Sequence, residues 1–137
     1  VVAGVVAEGP VQDWRAYVLE DASVEGASPM GWAEAAVAAM HRWGAERMVA
    51  EVNQGGDLVE QVIRQVDPLI SLRKVHASKG KSARAEPIKL EDEMCQLTLH
   101  GFHGKGCPDR TDALVWALWE LMILPAKARL NPQVRTL

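Results

Sequence analysis

Cysteine is scarce in this sequence: two in 137 residues, too few for a disulfide framework. Nothing points to secretion, so a reducing cytoplasm is the expected setting. No apolar run approaches the roughly 20 residues that cross a bilayer, so neither a transmembrane helix nor a membrane partner is expected. The opening Val1-Val2-Ala3-Gly4-Val5-Val6 is too short for a signal peptide and has no basic leader. It also lacks an initiator Met, and the chain is read as one domain of a longer polypeptide. There is no P-loop, no G-x-G-x-x-G and no Ser/His/Asp motif, so any ATPase lies outside this chain. Internal repeats and low-complexity segments are absent too.

An excess of positive charge is the last thing missing. The formal net charge is −3, which argues against a basic nucleic-acid coat protein. It leaves room for a nuclease, because a cation site needs clustered carboxylates that lower the total. Local charge matters more. Residues 69–85 contain no acid, whereas Arg73, Lys74, Lys79, Lys81 and Arg84 supply five positive charges. Such a segment could hold phosphates without reading sequence; a solvated basic loop is the plainer alternative.

What is present is ordinary globular material, 48% hydrophobic and 24% charged, of a length that suits one compact domain. Residues 1–7 are β-branched and apolar and end at the Gly9-Pro10 turn signal. Residues 14–21 alternate, as expected of a second strand paired antiparallel to the first. Ser28 and Pro29 suit the N-cap and first position of a helix, and Gly44 suits its C-cap. Between them runs an apolar stripe of Trp32, Ala36, Val37, Ala39, Met40 and Trp43. Residues 47–52 read as a short buried strand. A second helix follows through Leu58, Val59, Val62, Ile63 and Val66, stopped by Asp67-Pro68. Residues 70–75 form a further strand, parallel to the previous one because a helix joins them.

Further on, residues 90–97 read as a short acidic helix and residues 101–107 as a Gly- and His-rich loop. Residues 110–124 read as a helix so apolar that it should be buried. Residues 125–137 read as a tail or linker. The sum is an α/β domain with a mixed sheet, antiparallel strands first and parallel strands after, flanked by helices.

Glu51 stands out. It lies near the carboxyl end of an otherwise apolar strand, where parallel sheets bind ligands. An unpaired buried carboxylate is costly unless a cation or hydrogen bonds compensate. Exposure at a sheet edge, or pairing with Arg47, would serve equally. Asn53, Gly55 and Gly56 come next, just before a helix, where free backbone amides could approach a phosphate. Asp109 and Asp112, spaced i, i+3, share a face at the start of the last helix. Their plainer roles are N-cap and first-turn acid. Carboxylate oxygens suit Mg²⁺ or Mn²⁺. Cys95, His100, His103 and Cys107 form C-x₄-H-x₂-H-x₃-C. That spacing departs from the common zinc patterns and no second knuckle supports it, so two buried thiols and two surface imidazoles are preferred.

These motifs resemble, in order along most of the chain, the C-terminal nuclease domain of phage and gene-transfer-agent terminase large subunits. The resemblance rests on Tyr17-Val18-Leu19-Glu20-Asp21-Ala22-Ser23, then Val49-Ala50-Glu51-Val52-Asn53-Gln54-Gly55-Gly56-Asp57, then Lys81 with Arg84-Ala85-Glu86-Pro87. It continues through Leu90-Glu91-Asp92-Glu93-Met94 and Pro108-Asp109-Arg110-Thr111-Asp112-Ala113-Leu114-Val115-Trp116-Ala117.

It implies an RNase H-like fold over residues 1–124 and a metal-dependent endonuclease that cleaves concatemeric double-stranded viral DNA during packaging. Two divalent cations, Mg²⁺ or Mn²⁺, would be its cofactors. Its partners would be the DNA, a portal protein, a terminase small subunit and an ATPase domain of the same polypeptide, in the host-cell cytoplasm. Carried over by motif, Glu51 and Asp112 would be catalytic metal ligands with Asp109 beside them, and Lys81 and Arg84 would face DNA. The alternative is a catalytically silent module of the same fold that binds DNA or the portal. Two features depart from the family. Its first catalytic Asp stands on a strand ahead of the one beginning at Val1, and no residue here matches it. Its usual helix and hairpin after the basic motif are also missing, since Pro87-Ile88-Lys89-Leu90 runs straight into the acidic helix.

Overall fold

The computed structural model describes residues 1–52, 56–76, 90–98, 101–103 and 108–130. Strand β1 (Val2–Val6) pairs antiparallel with β2 (Arg15–Glu20), as the alternation predicts. The register slips between Val2 and Ala3, so that Ala3 faces Val18 and Val2 faces Glu20, with Leu19 as the extra residue. Leu19 leans over Gly4, where an added Cβ would stand 3.4 Å from its Cδ1.

Helix α1 (Pro29–Trp43) has the expected ends. The Ser28 hydroxyl accepts the Gly31 N–H at 3.1 Å, and Gly44 adopts the left-handed conformation, φ 59°. Its buried residues are Ala33, Val37 and Ala39. The expected stripe omits Ala33 and includes Trp43, which is exposed because its indole N–H turns outward to the Glu20 carboxylate, at 2.5 Å.

Strand β3 (Met48–Glu51), helix α2 (Gly56–Val66) and strand β4 (Leu72–Val75) form a β-α-β unit with parallel strands, Met48 opposite Leu72 and Glu51 opposite Val75. The residues of β3 are half-buried, not fully buried as expected. The core gathers Ala33 and Val37 of α1, Val62 and Ile63 of α2, and Ile70. Met48, Ala50 and Leu72 pack beneath it, so the two helices cover one face of the parallel ribbon.

Helix α3 (Leu90–Cys95) stops before residue 97, because Leu97–Thr98 (β5) pairs with Gly101–Phe102 (β6). Part of the expected loop at 101–107 is therefore strand. Two-residue strands are too short for a period of two to register. His103 closes this hairpin, its N–H donating to the Gln96 carbonyl at 2.9 Å and its Nε2 meeting the Thr98 hydroxyl at 3.0 Å.

The last helical run differs most from expectation. Helix α4 (Asp109–Leu118) leads through a π-helical turn (Trp119–Ile123) into α5 (Leu124–Leu130). The helix expected to end at residue 124 continues to Leu130. Pro125 explains the wide turn: a proline ring clashes with the carbonyl four residues back and offers no N–H, and a π turn makes room. Leu124 accordingly donates to Trp119, five residues earlier. The run is not buried all round either. Thr111 and Leu114 are buried, whereas Val115, Trp119 and Ile123 are exposed. The Arg129 guanidinium lies over the buried Trp14 ring at 4.8 Å and donates to the Gly9 carbonyl at 3.3 Å, tying α5 to the first ribbon.

Helix α4 packs on both β1 and β3, so the antiparallel and parallel ribbons share one helix. No helix among the described residues is long and apolar enough to cross a membrane.

Candidate functional site

Glu51 contacts helix α4, the helix that begins with Asp109 and Asp112. Glu51 ends β3, half-buried, at the carboxyl edge of the parallel ribbon. Its Oε2 accepts the Trp116 indole N–H at 3.3 Å. Arg47, an expected partner of Glu51, instead donates to Glu120 at 2.5 Å. Trp116 stands four residues after Asp112, one turn along the same helix face, an axial rise of about 6 Å. Glu51 is thus held beside the face that carries Asp112. Asp112 is half-buried and Asp109 exposed.

The first turn of α4 is fixed by a residue from another helix. Pro108 holds the cap position without a side-chain hydrogen bond, so Asp109 is the first helical residue and not the cap. Glu93 of α3 takes the cap's place: its Oε2 accepts the backbone N–H of Arg110 at 3.1 Å and of Thr111 at 2.9 Å. It is only 5% exposed, and these two bonds, with the positive helix end, satisfy a buried charge. Nothing in sequence spacing announces a cap from 17 residues away. The one hint is Pro108, which has no side-chain acceptor where a cap is needed.

Arg110 anchors the same turn from the other side, 3.5 Å from Asp21 Oδ2 and 3.6 Å from Glu25 Oε1. Burial opposes the charge on Asp21, but hydrogen bonds from Ser23 and the nearby Arg110 outweigh it and hold the carboxyl below its ordinary value.

Arg73 and Lys74, the described residues of the expected phosphate-holding segment, are engaged with acids. Lys74 donates to Glu60 at 2.7 Å, and Arg64 donates to Glu60 at 2.8 Å. Those bonds, Lys74's first, hold the Glu60 carboxyl below its usual value, and the bond to Glu60 raises the Lys74 ammonium above its own. Arg73 and Arg47 converge on Glu120 in the π turn. Gly56 opens α2. Asn53, Gly55, Lys79, Lys81 and Arg84 lie outside the described residues, as do His100 and Cys107 of the Cys/His set. Cys95, expected as a buried thiol, is instead exposed and free.

Carboxylates on β3 and α4 are hard oxygen donors, the chemistry that suits Mg²⁺ or Mn²⁺ as part of a ligand set. Among the described residues no group of three or more His, Cys, Asp or Glu side chains stands close enough to hold an ion.

A family model described as a terminase RNaseH-like domain matches residues 1–91, two thirds of the 137 residues. The matched stretch contains β1 to β4 and Glu51, while Glu93, Asp109 and Asp112 lie beyond it. No curated protein and no solved structure matches the chain.

Proposed function

The chain belongs to the terminase RNase H-like domain family, and from that premise we propose that it is a divalent-metal-dependent endonuclease cutting double-stranded DNA during genome packaging. The observation that carries the reading is the Trp116–Glu51 hydrogen bond. It ties the acid at the end of β3 to the helix that bears Asp112 and Asp109. Glu51 and Asp112 would be ion ligands, with Asp109 at the solvent side of the same turn. When bound, a pair of divalent ions would activate a water and stabilise the leaving oxygen in phosphodiester hydrolysis.

The chain's own contribution is placement. The indole of Trp116 orients the Glu51 carboxylate, and the capped, anchored first turn of α4 sets where Asp112 stands. Basic side chains would hold the DNA backbone. Lys74 can do so by exchanging Glu60 for a phosphate, and Lys79, Lys81 and Arg84 extend the same positive segment. Asn53, Gly55 and Gly56 would approach a phosphate at the start of α2. The motor's ATPase, portal protein and small subunit are the partners this role entails.

A second reading has an observation in its favour: the described residues hold no three-ligand cluster. A module that binds DNA or the portal without cutting would need none. Mn²⁺-dependent nicking of supercoiled plasmid separates the two. Nicking that disappears in Glu51→Ala and in Asp112→Ala is the outcome expected of the nuclease. DNA binding without any nicking, in wild type at saturating Mn²⁺, would leave only the silent module.

A further inference from the structure

We infer that Glu93 is a positioning residue for the carboxylates on α4, setting the affinity of the site for a divalent ion without touching the ion. The inference rests on the nuclease reading and deepens it. Its basis is geometric. A buried carboxylate on α3 gives one oxygen to two successive backbone N–H groups, those of Arg110 and Thr111. These residues sit directly between Asp109 and Asp112, so the bonds fix the segment of backbone that carries both acids.

An ordinary cap would come from the residue before the helix and would move with it. This one comes from a separate element, so it fixes α4 relative to α3 as well as closing the helix end. Arg110 completes the hold by reaching Asp21 and Glu25, in the segment between β2 and α1. The first turn is thereby pinned between two other parts of the fold. Outer partners that orient ion ligands typically alter metal affinity by about 10- to 100-fold when removed. Glu93 acts one step differently, through the ligands' backbone.

The test uses the chain in wild-type, Glu93→Ala, Glu93→Asp and Glu51→Ala forms. Mn²⁺ affinity is read from the free-ion electron paramagnetic resonance signal. Amide hydrogen exchange is followed at Arg110 and Thr111, and at Val62 and Ile63 as core references. For Glu93→Ala the expected result is faster exchange at Arg110 and Thr111, unchanged exchange at the core references, and Mn²⁺ binding weakened about 10-fold or more. Should Glu93→Ala lose core protection as well, Glu93→Asp, shorter by one methylene, is judged by the same criterion.

Faster exchange at the two amides with wild-type Mn²⁺ affinity would make Glu93 a purely structural cap and overturn the inference. If wild type binds Mn²⁺, Glu51→Ala does not, and the Glu93 variants bind as wild type does, this inference alone fails. If wild type binds no Mn²⁺, the nuclease reading fails and takes the inference with it.

Discussion

The half of the molecule built from α1, β3, α2 and β4 differs in kind from the region around α4. The first is held by apolar packing: Ala33, Val37, Val62, Ile63 and Ile70 close on one another, with Ile63 just 1% exposed. The second buries little apolar surface in α4 itself, where Leu114 is the buried hydrophobe beside Thr111. Directed bonds hold it instead, from two backbone amides to Glu93, from Trp116 to Glu51, and from Arg110 toward Asp21 and Glu25. Apolar packing is tolerant of direction and supplies stability. Hydrogen bonds are directional and individually modest, and they supply geometry. A helix that must present carboxylates at a set place is suited by the second kind of support.

The sharpest way to break this contrast is in the core. Ile63→Ala is expected to lower unfolding free energy by about 2–5 kcal/mol, measured by urea denaturation, with Mn²⁺ affinity per folded molecule unchanged. Asp112→Asn is the converse case: the protein is expected to stay folded, losing no more than about 1 kcal/mol for the first-turn charge, while Mn²⁺ binding is lost. If Ile63→Ala weakened ion binding while still folded, the division of labour would be wrong.

A smaller effect is expected at the local cap of α1. Ser28→Ala should cost about 1 kcal/mol by the same urea measurement and leave the ion site untouched.

The smallest effect concerns pH at the junction of β2 and α1. Hydrogen bonds from Arg42, at 2.6 and 3.1 Å, and then from Trp43 hold the Glu20 carboxyl below its ordinary value of 4.5. A depressed folded value means that this contribution is fully present above 4.5. It fades as pH falls from there through the lower folded value. Urea midpoints measured from pH 7 downward should therefore decline more steeply below 4.5 in wild type than in Glu20→Gln. Parallel curves would show that the pair adds nothing measurable, as exposed pairs often do.

Legibility in the sequence follows the same division. Helix α1 could be read from Ser28, Pro29 and Gly44, because caps act on their own neighbours. The pairing of β1 with β2, and the parallel run of β3 and β4 across α2, followed from alternation and from the helix between them. The candidate acids Glu51, Asp109 and Asp112 could be singled out because charged residues at the end of an apolar strand or at a helix start are conspicuous. What escaped depends on contacts distant in the chain or on very short elements. The Glu93 cap, the Trp116 bond and the two-residue strands β5 and β6 leave no periodic trace. The π turn before Pro125 had a local cue, but the apolar pattern on either side of it suggested one unbroken helix that then stopped.

The most direct test is diffraction at the manganese absorption edge from crystals of this chain soaked in Mn²⁺. The expected result is an anomalous peak about 2.1 Å from carboxylate oxygens of both Glu51 and Asp112. A peak elsewhere, or none at these two residues, would contradict the account.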